Sequence, residues 1–208
     1  MKFGKILSVA MIGSFLLSSC GEAKTSEENA AGCPKAGEAV IENIMTRTSI
    51  RQFTDQPVAK DTLDIIVKAG MAAPSAMNKQ PWAFVVVTEK EMLDSLNANH
   101  PYANLKTAQA AIIVCGNMDK TIEGAGREYW VQDCSAASEN ILLAAHGLGL
   151  GAVWCGVYPS EERVAAISRV LELPETIIPL NIITMGYPAE NPTPKDKFNA
   201  DNVHYQKW

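Results

Sequence analysis

Histidine is scarce in this chain, and the residues from which hydrolytic and metal sites are built do not cluster. His100, His146 and His204 are the three histidines in 208 residues, each isolated and with no recognisable nucleophile beside it. A Ser-His-Asp arrangement therefore has no support. The five cysteines, Cys20, Cys33, Cys115, Cys134 and Cys155, form no CxxC pair and match no zinc spacing, which argues against a structural metal. A formal net charge of −5 provides no general attraction to nucleic acid, which needs a basic patch or stripe. No apolar run reaches the roughly 18 residues of a spanning helix. With 47% hydrophobic and 20% charged residues, intrinsic disorder is excluded for the bulk, and the length suits one globular domain. There is no internal repeat and no sign of a second domain.

The amino end differs from the rest. Lys2 and Lys5 precede an apolar run from Ile6 to Leu17, followed by Ser18-Ser19-Cys20-Gly21. Residues 1–19 read as a cleaved export signal, the run being too short to span. Leu17-Ser18-Ser19-Cys20 resembles a bacterial lipoprotein signal, in which Cys20 becomes the lipidated first residue. A plain secretory leader is the alternative, and a spanning anchor a more distant one. Residues 20–35 carry Glu22, Lys24, Glu27 and Glu28 without apolar periodicity and read as a flexible tether. The folded domain is expected over 36–208.

Apolar residues recur at helical spacing at Val40, Ile41, Ile44 and Met45, and again at Leu63, Ile66, Val67, Gly70 and Met71. Pro74 restricts Ala73 and stops the second helix. Strands are expected from Trp82 to Thr88 and from Ala110 to Cys115, with a short helix from Glu89 to Asn97 between them. Val131, Cys134, Ser138, Ile141, Leu142 and Ala145 share one face of a long core helix over about 128–146. Gly147, Gly149 and Gly151 are expected to end it through positive backbone angles. The GxGxxA pattern from Gly147 to Ala152 is not a dinucleotide fingerprint, because a helix precedes it and a strand, Gly151 to Val157, follows. A helix over about 160–171 and a strand from Ile177 to Met185 complete the set. Cys115 and Cys155 sit in apolar runs and are expected as buried free thiols.

Two stretches carry the chemistry. Arg47-Thr48-Ser49-Ile50-Arg51 packs two guanidiniums and two hydroxyls into five residues, a set suited to a phosphate. On spacing alone it could equally be a helix C-terminal turn, where cations meet the negative end of the dipole. Pro74-Ser75-Ala76-Met77-Asn78-Lys79-Gln80-Pro81-Trp82 places two carboxamides two residues apart. Each offers a donor and an acceptor, as the edge of a flat heterocycle requires, although loop capping would also use them.

These motifs, together with Asp133 to Gly151 leading into Val153-Trp154-Cys155-Gly156 and with Met185-Gly186-Tyr187-Pro188 before a basic tail, resemble the FMN-dependent nitroreductases from about Ile44 onward. The resemblance implies an α+β fold, a nitroreductase-like three-layer sandwich whose mostly antiparallel central sheet is flanked by helices. It implies a homodimer with two FMN sites at the interface. It assigns Arg47 and Ser49 to the FMN phosphate and ribityl region, with Thr48 helping through its backbone, and Arg51 to the flavin edge that gains negative charge on reduction. Ser75, Asn78 and Gln80 would meet the ribityl chain and pyrimidine edge. The Cys155–Gly156 strand end would bring a backbone N–H to flavin N5, the Cys155 side chain being packing. Lys195 and Lys197 resemble a basic pair that reaches the phosphate, although relatives often carry Arg at the second position. Trp82 is expected in the core. Tyr102, Tyr129 and Trp130 are candidates for a substrate wall.

The implied activity is ping-pong electron transfer from a reduced nicotinamide, or another donor, through flavin N5 to a nitroaromatic, quinone or similar small acceptor. No catalytic side chain is required, since the cofactor does the chemistry. A lipid-anchored envelope protein would stand apart from reduced nicotinamide, so the competing expectation is a non-catalytic flavin or small-molecule binding lipoprotein. A dehalogenating or flavin-degrading branch would need its lid from 97–128, which is short.

Overall fold

The computed structural model describes residues 36–208. The export signal, the tether, Cys20 and Cys33 lie outside the described residues. In chain order the helices are α1 (Ala36–Thr46), α2 (Lys60–Met71), α3 (Lys90–Asn99), α4 (Tyr129–Gly147) and α5 (Glu161–Val170). The strands are β1 (Trp82–Val87), β2 (Ala110–Asn117), β3 (Gly151–Gly156) and β4 (Ile177–Gly186). They form one sheet in the order β1-β2-β4-β3, every neighbouring pair antiparallel.

The sheet divides the core into two halves, which makes the architecture a three-layer sandwich. On one face Leu63 and Ile66 of α2 and Ile141 and Leu142 of α4 pack against Ile112, Val114, Ile183 and Met185. On the other, Leu93 and Leu96 of α3 and Ile167 of α5 pack against Ile113, Cys115 and Ile182. The central strands β2 and β4 are covered on both sides, which is why their sequences read as unbroken apolar runs rather than alternating ones. α2 lies close on α4 because position 70 has no side chain; a Cβ there would meet Ile141 Cγ1 at 2.9 Å.

Three sequence expectations need correction in detail. Of Gly147, Gly149 and Gly151 only Gly149 has a positive φ, of 78°. Gly151 is small because a Cβ would strike Ile50 at 2.6 Å, and Gly147 belongs to the helix itself. Trp130, a candidate for the substrate wall, is 3% exposed, lies edge-on to Tyr158 at 4.9 Å and fills the space over Gly116, so it is core. Tyr102 and Tyr129 remain exposed, and Trp82 is buried.

α1 docks in an unusual manner for an amphipathic helix. Its contacts with α4 are polar: Asn43 Nδ2 donates to Leu143 O at 3.0 Å, and Thr46 Oγ1 lies 3.0 Å from His146 Nε2. The Thr46 hydroxyl gives its one proton to Glu42 O at 2.7 Å, so the imidazole Nε2 must be the donor to it. The residues that give α1 its apolar periodicity, Val40, Ile41, Ile44 and Met45, are 47–64% exposed. Periodicity identified the helix, but the described residues do not bury the stripe.

Candidate functional site

The end of α1 delivers its cations into a cavity of about 700 Å³ lined by Ile44, Met45, Arg47, Thr48, Ser49, Arg51, Glu139, Pro192, Thr193, Lys195, Lys197 and Phe198. Six of the residues singled out in the sequence, Arg47, Thr48, Ser49, Arg51, Lys195 and Lys197, thus meet in one place although about 150 positions separate the two groups. Arg47 Nε lies 3.7 Å from the Glu139 carboxylate of α4, which orients the guanidinium. With one side chain 18% and the other 51% exposed, that pair contributes little stability, within about 1 kcal/mol. Four cations around one carboxylate leave the cavity positive, as an anionic group requires.

Backbone pairing fixes the loop after α1. Ile50 N donates to Ala152 O at 3.1 Å, laying residues 48–50 along the open edge of β3. Glu190 then ties the tail to this loop: one carboxylate oxygen accepts from the backbone N–H of Arg51 and, at 3.1 Å, of Gln52. Ala189 N donates to Gln52 O at 2.9 Å beside it. The tail thereby leaves β4 at a defined angle and carries Lys195 and Lys197 back to the Arg47 cavity. The sequence reading missed Glu139 and Glu190, which carry no motif and gain meaning only from where the chain folds back.

Ser75, Asn78 and Gln80 do not line that cavity. The loop they occupy is strained, with φ of 51° at Met77, 54° at Asn78 and 50° at Gln80. Such backbone in non-glycine residues costs on the order of 1–3 kcal/mol each and gathers at ligand clamps and active sites. Asp133, 7% exposed in the first turns of α4, accepts from Ala76 N at 2.9 Å, and Ser75 Oγ accepts from Gln80 N at 3.0 Å. Gln80 Nε2 donates to Asn78 Oδ1 at 3.1 Å, and both carboxamides are otherwise solvent-facing. Asp133 and Glu139, which hold the two groups, are six residues apart on α4, or roughly 9 Å along its axis and 240° around it. The loop and the cavity therefore face different directions on one chain.

The end of β3 is a third location. Cys155 turns its side chain into the core below the sheet, where Sγ donates to Ala103 O at 3.3 Å. Burial pushes its thiol pKa up, and burial does the same at Cys115, to about 12, and at Cys134. All three are free, buried and protonated at neutral pH, so none is a poised nucleophile. Gly156 differs from the packed glycines: a Cβ added there would meet no atom within 4 Å, and its φ is not positive. Neither conformation nor crowding within the chain calls for glycine there, and the open space admits a flat group against the backbone.

A family model described as "Nitroreductase family" matches residues 44–100 and 97–187. A protein of Methanothermobacter thermautotrophicus, named "Putative NADH dehydrogenase/NAD(P)H nitroreductase", is 51% identical over 170 residues, covering 81% of this chain and 87% of its own. A crystal structure under the same name from Bacteroides thetaiotaomicron is 44% identical, with a TM-score of 0.77 over 82% of this chain and 98% of that one. An FMN-dependent nitroreductase from Clostridium difficile is 30% identical, with a TM-score of 0.74 over 81% and 99%. The chain belongs to the nitroreductase family.

Proposed function

We propose that the protein is an FMN-dependent NAD(P)H oxidoreductase that works as a homodimer. The observation that carries the reading is the cavity in which Arg47, Ser49, Lys195 and Lys197 converge from opposite ends of the domain beside the open edge of β3. A phosphate suits this donor set, since a guanidinium makes bidentate charge-assisted bonds and each lysine adds a point charge. The free space over Gly156 suits the plane of an isoalloxazine ring. A flavin bound there would supply the redox chemistry, between NAD(P)H as donor and a small acceptor such as a nitroaromatic or quinone.

The protein's part is to bind and orient. Arg47, Ser49, Lys195 and Lys197 hold the phosphate end, with Thr48 acting through its backbone. Arg51 would place positive charge toward the edge of the ring that becomes anionic and so favour the reduced flavin. The Gly156 N–H would be the backbone donor to flavin N5. The exposed apolar stripe of α1 supports the dimer, because half-exposed Val40, Ile41, Ile44 and Met45 would each gain roughly 1 kcal/mol or more on burial against a second copy. The strained Ser75–Gln80 loop, anchored by Asp133 but facing away from its own cavity, is offered in the same way to the ribityl chain and pyrimidine edge.

The lipoprotein-like signal ending at Cys20 supports a lipid-anchored location in the bacterial envelope. That location favours a second reading, a flavin-binding lipoprotein without fast turnover. One experiment separates them. Protein purified without its leader should show a flavin band near about 450 nm that NADH or NADPH bleaches anaerobically. A band that persists with both favours the binding role, and colourless protein that FMN cannot reconstitute overturns the cofactor assignment.

A further inference from the structure

Gly156 ends an edge strand, carries no side chain to pack, and has open space above it. Such a residue is weakly held by its own sequence, since glycine gives its backbone the widest freedom. Yet two side chains from outside the sheet converge on its carbonyl oxygen. His100, at the end of α3, places Nε2 2.9 Å from it, and Arg163 of α5 donates through Nη1 at 3.3 Å. A carbonyl oxygen only accepts, so His100 carries a proton on Nε2. His100 is 3% exposed, a polar ring buried to make this contact.

The direction of that carbonyl matters. In an antiparallel strand the N–H and C=O of one residue point the same way, and successive residues alternate. Ala152 turns its carbonyl to the open edge, where Ile50 N reaches it, so Gly156, four residues on, turns both groups to the same edge. Val157 N returns to the sheet, donating to Leu180 O at 3.0 Å. The carbonyl lies in the Gly156–Val157 peptide plane and the N–H in the Cys155–Gly156 plane. Fixing the carbonyl therefore restrains the N–H through the Cα that the two planes share, by limiting ψ at Gly156.

We propose that His100 and Arg163 are positioning residues that hold the Gly156 N–H in the direction needed for the flavin ring. The proposal rests on the FMN reading above. His100 acts as the rigid donor, buried and held at the close of α3. Arg163, exposed on α5, adds a second, charge-assisted bond to the same oxygen.

The test uses the leaderless 20–208 protein loaded with FMN labelled with ¹⁵N at N5. His100→Leu removes the donor, His100→Gln keeps an N–H near the place of Nε2, and Arg163→Met probes the exposed partner without touching the core. The expected result is a changed N5 shift and a hydride-transfer rate about 10-fold lower for His100→Leu, the low end for losing a group that orients a contact residue. His100→Gln should recover most of both, Arg163→Met should lose about 3-fold, and nicotinamide affinity should hold. In the FMN-free protein, the Val157 amide, bonded to Leu180 O and in the same peptide plane as the clamped carbonyl, should exchange its hydrogen faster in His100→Leu and in Arg163→Met. Unchanged N5 shift and hydride transfer in Arg163→Met and in folded His100→Leu would overturn the proposal. Wild-type protein that binds no FMN would instead overturn the cofactor reading, leaving the amide-exchange result to judge the clamp.

Discussion

The two halves of the candidate site are held in opposite ways. The Arg47 half is assembled inside one chain: α1 presents it, Glu139 orients it, and Glu190 brings the tail's lysines to it. The Asn78 half is equally well anchored at its base, through Asp133 and Ser75, but its carboxamides bond only each other at the surface. One half is complete as it stands; the other is held in a strained form and offered outward. A chain that spends conformational energy to present polar groups to solvent is prepared for a contact it does not itself contain.

The comparison is broken most directly at α1. Val40→Glu with Ile41→Glu, neither of which lines the Arg47 cavity, should convert the proposed dimer to a folded monomer in sedimentation, because neither side chain is buried, and that monomer should purify without flavin. A monomer that keeps FMN would show that the Arg47 half suffices alone. Arg47→Ala should leave the proposed dimer intact and weaken FMN about 10- to 100-fold by fluorescence titration, the loss of a charge-assisted bond. Asn78→Gly with Gln80→Gly, which preserves positive φ, should weaken FMN only about 5-fold. Its melting temperature should barely move, since among the described residues the two side chains bond only each other.

The smallest effect concerns His146, beneath Arg47. Burial first, and then the Arg47 charge, lower its pKa, so the folded state favours the neutral ring that donates to Thr46. Its contribution to stability is full above the ordinary pKa of 6.5 and is lost as pH falls through the lowered value. His146→Gln should therefore flatten the fall in melting temperature between about pH 7 and 5. An unchanged slope would detach His146 from the Arg47 half.

Much of this was legible in residue order. The long face of α4 and the apolar runs of β2 and β4 identified their elements because burial imposes a period on a helix and continuity on a doubly covered strand. Arg47, Ser49 and Arg51 were legible because charge and hydroxyl rarely crowd so closely. Asp133, Glu139, Glu190 and His100 were not, since each is a single polar residue whose partner lies 56 to 139 positions away. Trp130 misled for the same reason: an aromatic at a helix start gives no sign of whether a glycine opens a hole for it.

By itself the sequence determined the elements, their order and the family, because local periodicity and short motifs depend on near neighbours along the chain. Only the tertiary structure decided which motifs meet. It joined Arg47 to Lys195 through the return of the tail, turned Asn78 away from both, left the apolar stripe of α1 uncovered by the other described residues, and set a buried histidine on the Gly156 carbonyl. These outcomes depend on contacts between distant segments, whose geometry is fixed by how the layers pack.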